Sequence, residues 1–228
     1  MGENAPLTRR ALLGSSLALG VASTAFGVML GAPSPARGER ADATATQSSD
    51  SKEADSRAQY GFLVRPDHCV NCGECVTACR EHNHTPDNES ARRTIVKCPT
   101  EAGREVTLSL SCMHCEDPAC LKVCPAGAIA KGEGGIVTVD RDRCIGCKYC
   151  YQACPYGVPH YGIRGMDKCD YCFEAGIPLG DRTYCVQACH VDALLCGKIG
   201  DLLERFPDAK RIEGATNASC YVSVGRVS

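Results

Sequence analysis

Residues 69–79 read Cys69-Val-Asn-Cys72-Gly-Glu-Cys75-Val-Thr-Ala-Cys79, and residues 144–154 read Cys144-Ile-Gly-Cys147-Lys-Tyr-Cys150-Tyr-Gln-Ala-Cys154. Both have the spacing C-x2-C-x2-C-x3-C. Two further quartets keep both ends of this pattern and widen its middle gap. Cys112, Cys115, Cys120 and Cys124 open the gap to four residues, and Cys169, Cys172, Cys185 and Cys189 open it to twelve. Sixteen of the 19 cysteines thus fall into one repeat of four. Cys98, Cys196 and Cys220 stand outside it and read as buried free thiols that behave as small apolar side chains.

The spacing has a mechanical meaning. Three thiolates within seven residues wrap one iron–sulfur cubane only if the backbone loops tightly around it. The fourth cysteine is expected to start the next helix and to point at a different cluster, as in two-cluster ferredoxins. Pro125 and Pro155 follow the last cysteine of the second and third quartets, as that motif has it; Arg80 and His190 stand there in the first and last. Gly73, Gly146 and the short residues between ligands suit a loop whose amides must reach sulfur. Structural zinc is the main alternative, because C-x2-C units also build zinc sites. A third cysteine two residues later has no natural use there. Neighbouring thiols at this spacing are also poorly placed to form disulfides.

Composition supports a metal-built fold. The chain has 228 residues, no Trp and four Phe, and aromatics make up 5%. An ordinary apolar core would be thin for that length, whereas metal bound only in the folded state contributes its binding energy to folding. The net charge of −2 gives no electrostatic case for nucleic acid. No Gly-rich phosphate loop, H-E-x-x-H or G-x-S-x-G element appears, so no catalytic constellation is predicted.

The N-terminus bears on the redox compartment. Thr8-Arg9-Arg10-Ala11-Leu12-Leu13 precedes a charge-free stretch, Ala11 to Ala32, diluted by Gly, Ser and Thr. Residues 1–32 read as a twin-arginine export signal, the alternative being a retained anchor. That route moves folded proteins with cofactors already inserted, which reconciles many cysteines with an oxidising destination. Ser34-Pro35-Ala36 and Ala43-Thr44-Ala45 are candidate cleavage sites. Residues 33–57, rich in Pro, Ser, Ala and charge, read as a disordered linker. Past the leader no stretch approaches transmembrane length, so an aqueous location is expected, periplasmic or on the outer face of the cytoplasmic membrane.

From about Tyr60 to Gly200 the text resembles a known family. The matching segments are Cys69-Val-Asn-Cys72-Gly-Glu-Cys75, Ser111-Cys112-Met-His-Cys115, Cys124-Pro-Ala-Gly-Ala-Ile129, Cys147-Lys-Tyr-Cys150, Ala153-Cys154-Pro-Tyr156 and Lys168-Cys169-Asp-Tyr-Cys172. They are similar to the four-cluster iron–sulfur subunits of molybdopterin oxidoreductases, such as DMSO, polysulfide and tetrathionate reductases. They are also similar to the iron–sulfur protein of formate-dependent nitrite reduction systems. The resemblance implies an inside-out pairing of quartets. Cys69, Cys72, Cys75 and Cys189 would hold one cluster and Cys79, Cys169, Cys172 and Cys185 its neighbour. Cys112, Cys115, Cys120 and Cys154 would hold a third, and Cys124, Cys144, Cys147 and Cys150 the fourth. Since all sixteen positions are Cys, four [4Fe–4S] clusters and no [3Fe–4S] are expected.

The implied fold is α+β: two ferredoxin-like bis-[4Fe–4S] modules, loop-rich with short hairpins and short helices. Residues 58–200 would form the four-cluster domain, with one module from 60–98 plus 165–200, the other from 106–160, and a C-terminal extension at 201–228. The resemblance implies an electron-transfer subunit of an anaerobic respiratory complex, not an enzyme alone, between a molybdopterin catalytic subunit and an integral membrane quinone-reactive subunit. An iron–sulfur hydrolyase would need a cluster with an open position, which sixteen cysteines do not leave. Hydrogenase and formate dehydrogenase small subunits remain alternatives within the class.

Local patterns predict hairpins. Ala128 to Ala130 and Ile136 to Val139 flank Lys131-Gly-Glu-Gly-Gly135. Thr94 to Lys97 and Val106 to Leu110 form a second, across Pro99 to Arg104. Leu194 to Cys196 reads as a strand, and Asp201 to Arg205 as a helix stopped before Pro207. Arg80, Lys122, Arg143, Lys148 and Lys168 adjoin ligands, either as potential-tuning charges or as ordinary solvated residues. His68 and His114 read as tuning or surface residues, since the cysteine count needs no histidine ligand.

Overall fold

A computed structural model describes residues 58–99 and 103–223, all of which lie in one compact unit. The twin-arginine stretch, the two cleavage sites and all of the linker fall outside the described residues.

The central strand is β1 (Tyr60–Val64), whose five residues are all buried. A strand covered on both faces reads as a continuous apolar run rather than an alternating one. It lies between β8 (Leu194–Lys198), antiparallel with Phe62 opposite Cys196, and β10 (Cys220–Val222), parallel with Phe62 opposite Cys220. β9 (Lys210–Arg211) completes the order β8-β1-β10-β9 on the far side of β10. Gly61 is required here, because a Cβ would collide with the Ser219 carbonyl on the segment entering β10. The stretch after residue 200, expected as an extension, therefore supplies two strands of the main sheet. Ala218, Ser219 and Cys220 are buried, and the Ser219 amide donates to the Met113 carbonyl.

Three hairpins surround this sheet. β2 (Thr94–Pro99) pairs with β3 (Glu105–Leu110), and β4 (Ile129–Lys131) pairs with β5 (Val137–Val139) through a one-turn 3-10 segment at Glu133–Gly135. The first two hairpins follow the alternation in the sequence. The third, β6 (His160–Gly162) with β7 (Gly165–Asp167), has only three residues a side and was not anticipated from the sequence, since such strands carry too few positions for a period.

Among the described residues, five short helices complete the fold: α1 (Glu74–His82), α2 (Ala119–Lys122), α3 (Tyr149–Ala153), α4 (Tyr184–Gln187) and α5 (Ile199–Arg205). α5 ends before Pro207 but begins at Ile199, two residues earlier than expected, straight out of β8. Ile199 and Leu202, three apart, then bury together against Leu63, Leu195 and Tyr221. Among the described residues no helix is long and apolar enough to cross a membrane.

Candidate metal centres

The helices carrying cysteine begin one residue before the third cysteine of each quartet, not at the fourth as the sequence suggested. Cys75, Cys120, Cys150 and Cys185 each occupy the second helical position. The fourth cysteine follows four residues on; Cys79 lies one turn along the same face of α1, whereas Cys124, Cys154 and Cys189 lie just past the ends of their shorter helices. The first pair of cysteines in each quartet lies in the loop ahead of the helix or upstream of it. In all four quartets the residue before the second cysteine has a positive φ: Asn71 at 56°, His114 at 40°, Gly146 at 68° and Tyr171 at 65°. Left-handed backbone at that point curls the loop on itself, and only Gly146 adopts it without a side-chain penalty. Three bulkier residues held there mark a conformation imposed by the surroundings.

Packing of the helices decides which cysteines meet. α1 packs on α4, and α2 on α3. Cys75 lies near Cys185 and Cys189, and Cys79 near Cys185 and Cys172. Cys69, Cys72, Cys75 and Cys189 line one apolar cavity with Val64, Ile95 and Leu194. Cys169 is close to Cys79 and Cys172, which together with Cys185 form a second group. Cys120 is close to Cys112, Cys115 and Cys154, and Cys124, Cys144, Cys147 and Cys150 line another cavity with Ile129, Val139 and Met166. All sixteen patterned cysteines are thereby gathered into four sets.

The sets need positive charge. Burial first, then neighbouring thiols, push Cys79 and Cys120 up to about 12 and Cys172 up to about 11. Four thiolates in one apolar pocket are strongly disfavoured without a cationic centre. A tetrahedral zinc site would bring its sulfurs within about 2.3 Å of one ion. Among the described residues no three His, Cys, Asp or Glu groups converge on a single-ion site. Two of the sets, Cys69/Cys72/Cys75/Cys189 and Cys124/Cys144/Cys147/Cys150, line cavities, a geometry that fits a polynuclear group, and the Ala128 amide at 3.3 Å from Cys124 Sγ supplies a sulfur-directed donor.

The sets of Cys69 and Cys144 differ from the other two in exposure. Val70 and Ile145, each following the first cysteine of its loop, are 62% and 69% exposed, and Cys72 and Cys147 are exposed. The equivalent residues of the other loops, Met113 and Asp170, are buried.

Buried cations are the feature that sequence reading missed. Arg93 is 1% exposed, lies over the Phe62 ring at 4.5 Å, and donates to Ser109 and Ser111. Burial alone would lower its pKa, but the nearby Cys185, Cys169, Cys79 and Cys75 outweigh that and raise it. An Arg in a polar run next to a strand gives no local sign of burial; its enclosure comes from residues distant in sequence, among them Phe62, 31 positions back, and Ser109 on the facing strand. Of the five cations flagged in the sequence, Lys168 is buried and donates to the carbonyls of Val137 and Cys169. Arg80 and Arg143 donate to loop carbonyls, Lys122 pairs with exposed Asp117, and Lys148 stands over the Tyr161 ring. His114 is fully buried; its Nδ1 accepts from the Val137 amide, and burial followed by Lys168 and Arg93 holds it neutral. His68 is half-buried beside Arg65 and Asp67. Of the three unpatterned thiols, Cys220 is buried as expected, whereas Cys98 and Cys196 lie half-exposed.

Arg92, next in the chain, does a different job. Nearly buried, it bonds Asp167 at 2.9 Å, Asp170 at 3.0 Å and Glu174 at 2.8 Å. Arg141 reaches Asp167 and Glu174 from the segment before the third quartet. Burial would raise the Asp167 carboxyl, but His160 and Arg92 outweigh it and hold the group below the usual carboxylate range. Asp170, inside the fourth loop, also accepts from the amides of Cys172 and Glu174 and so fixes that loop's shape.

Short strands and helices, cysteine loops of this curvature and gathered thiols define a ferredoxin-type protein. A family model described as a 4Fe-4S dicluster domain matches residues 104–199. The chain is 40% identical over 162 residues to the B subunit of the anaerobic dimethyl sulfoxide reductase of Escherichia coli (strain K12), covering 66% of this sequence and 78% of that one. It is 37% identical over 163 residues to the thiosulfate reductase electron transfer subunit PhsB of Salmonella typhi, covering 68% and 84%. An uncharacterized ferredoxin-like protein, YdhX of Escherichia coli (strain K12), is 38% identical over 150 residues, with 63% and 67% covered. The chain belongs to the family of iron–sulfur electron-transfer subunits of molybdopterin oxidoreductases.

Proposed function

We propose that this subunit relays electrons through four [4Fe–4S] clusters held by the four cysteine sets, Cys69/Cys72/Cys75/Cys189, Cys79/Cys169/Cys172/Cys185, Cys112/Cys115/Cys120/Cys154 and Cys124/Cys144/Cys147/Cys150. These form two bis-cluster modules, one from residues 60–98 and 165–200, the other from 106–160. When bound, such clusters supply one-electron redox couples. The chain's own residues hold, space and screen them. The carrying observation is the crosswise meeting of Cys75 with Cys189 and Cys79 with Cys185 where α1 packs on α4.

The two ends of the relay are the sets of Cys69 and Cys144, where exposed Val70 and Ile145 offer apolar contact beside Cys72 and Cys147. One end would meet a molybdopterin catalytic subunit and the other an integral membrane quinone-reactive subunit. The relatives from dimethyl sulfoxide and thiosulfate reductases support a catalytic partner of that class. Arg9-Arg10 and the apolar stretch behind it support export by the twin-arginine route to the periplasm or the outer face of the cytoplasmic membrane.

Anaerobically purified protein should contain four clusters' worth of iron and acid-labile sulfide; zinc without sulfide would end this reading. Cys72→Ser and Cys189→Ser should abolish or alter the same EPR signal, and loss of two different signals would refute the crosswise pairing.

A further inference from the structure

Each of the four sets has one hydroxyl beside a sulfur. Ser109 Oγ lies 3.2 Å from Cys75 Sγ, Thr183 Oγ1 3.3 Å from Cys185 Sγ, Thr216 Oγ1 3.2 Å from Cys115 Sγ, and Tyr161 OH 3.0 Å from Cys150 Sγ. The four come from β3, the residue ahead of α4, the approach to β10, and β6. No repeat in the sequence places them, and yet each set receives one. A sulfur that ligates iron carries no proton, so the hydroxyl must be the donor in every pair. A donor to sulfur stabilises the reduced, more negative state of the centre more than the oxidised state, and thereby raises its potential.

Ser109 has a second layer. Arg93 Nη1 donates to the same Oγ at 3.2 Å and to the Ser109 carbonyl at 3.0 Å, and Nη2 donates to Ser111 Oγ at 2.9 Å. With an Arg93 N–H occupying a lone pair of Ser109, the single O–H of that serine is left to point at Cys75. Among the described residues no carboxylate forms an ion pair with Arg93, so its charge is not cancelled before it reaches the sulfurs. Among the described residues Thr183 receives no such hydrogen bond, and Cys196 Sγ, at 3.8 Å, competes with Cys185 for its proton.

We propose that Ser109, Thr183, Thr216 and Tyr161 set the potentials of the four clusters one by one, and that Arg93, acting through Ser109, gives the Cys75 set the largest of these shifts. The proposal rests on the cluster reading above. The test is an EPR-monitored redox titration of the full, anaerobically prepared protein and its variants Ser109→Ala, Thr183→Val, Thr216→Val and Tyr161→Phe, with iron and sulfide measured on each. Each variant should keep its iron and move one signal, a different one each time, to lower potential. The oxidised-to-reduced ratio of that cluster at fixed ambient potential should rise about tenfold, which is about 59 mV for a one-electron couple. Ser109→Ala should move its signal furthest. Arg93→Gln should lower the signal of the Cys75 set and also that of the neighbouring Cys79/Cys169/Cys172/Cys185 set, which Arg93 also adjoins, and Arg93→Lys, which keeps the charge, should shift both less. Full iron with unmoved potentials, or all four signals moving together in each variant, would overturn the proposal. A parent protein without iron and sulfide would instead remove the cluster reading beneath it.

Discussion

Gly61 shows how closely the backbone is packed in the main sheet. A methyl group there meets the Ser219 carbonyl, which is backbone and cannot swing aside. Gly61→Ala should therefore push β10 away from β1 and destabilise the fold by about 3 kcal/mol, the upper range for overpacking, measured as a lower thermal midpoint of the cluster-loaded protein. Cys220, one position on from Ser219, behaves oppositely. Its thiol is buried, burial pushes it up to about 12, and it joins no cysteine set. Cys220→Ala should cost only about 1 kcal/mol and leave iron content unchanged; loss of a cluster's worth of iron would show that it is a ligand. Arg93 is legible to neither propensity nor pattern. Its role depends on Ser109, sixteen positions away on the neighbouring strand.

The short helices are held by what they carry rather than by their length, since helices of four to nine residues are marginal on their own. In α1, Cys75 and Cys79 share a face because they are four apart. Inserting one Ala between Val76 and Thr77 turns Cys79 by about 100° away from Cys75. The expected outcome is loss of half the iron, with the signals of the sets on α2 and α3 retained; loss of all iron would mean that the two helix pairs do not assemble independently. At the sheet, β10 closes one side of β1 and brings Thr216 to Cys115. A chain ending at Gly214 lacks both, and should show a missing or altered signal from the Cys115 set together with raised protease sensitivity of β1. The β2–β3 and β4–β5 hairpins and α5 could be read ahead because alternation, glycine turns and a proline stop are local signals. The β6–β7 hairpin and the helix starts could not, because too few residues carry any period.

Across the molecule, the Arg92 network ties together segments that lie between the cysteine quartets and the opening of the fourth quartet. Arg92 comes from residues after the first quartet, Arg141 from just before the third, and Asp167, Asp170 and Glu174 from around the start of the fourth. Arg92→Met removes the one side chain that touches all three carboxylates. It should cost about 3 kcal/mol, the low end for breaking a buried pair because Glu174 is partly solvated, and be visible as a lower denaturation midpoint. Removing the metal should cost far more, because four sets of crowded thiols have no other centre to bind. Anaerobic chelation of reduced protein is expected to abolish its cooperative thermal transition; retention of that transition would show a fold independent of iron. The four quartets, their spacing, the hairpins flanked by glycine and the thin apolar core are all legible in the sequence, because each is written in neighbouring residues and their covalent distances. Long-range packing sets which cysteines become neighbours, which hydroxyl faces each sulfur, that residues 210–222 close the main sheet, and that Arg92 and Arg93 are buried. Those depend on contacts between residues as far apart as Cys115 and Thr216, and no local pattern encodes a meeting whose terms are set by the packing of everything between.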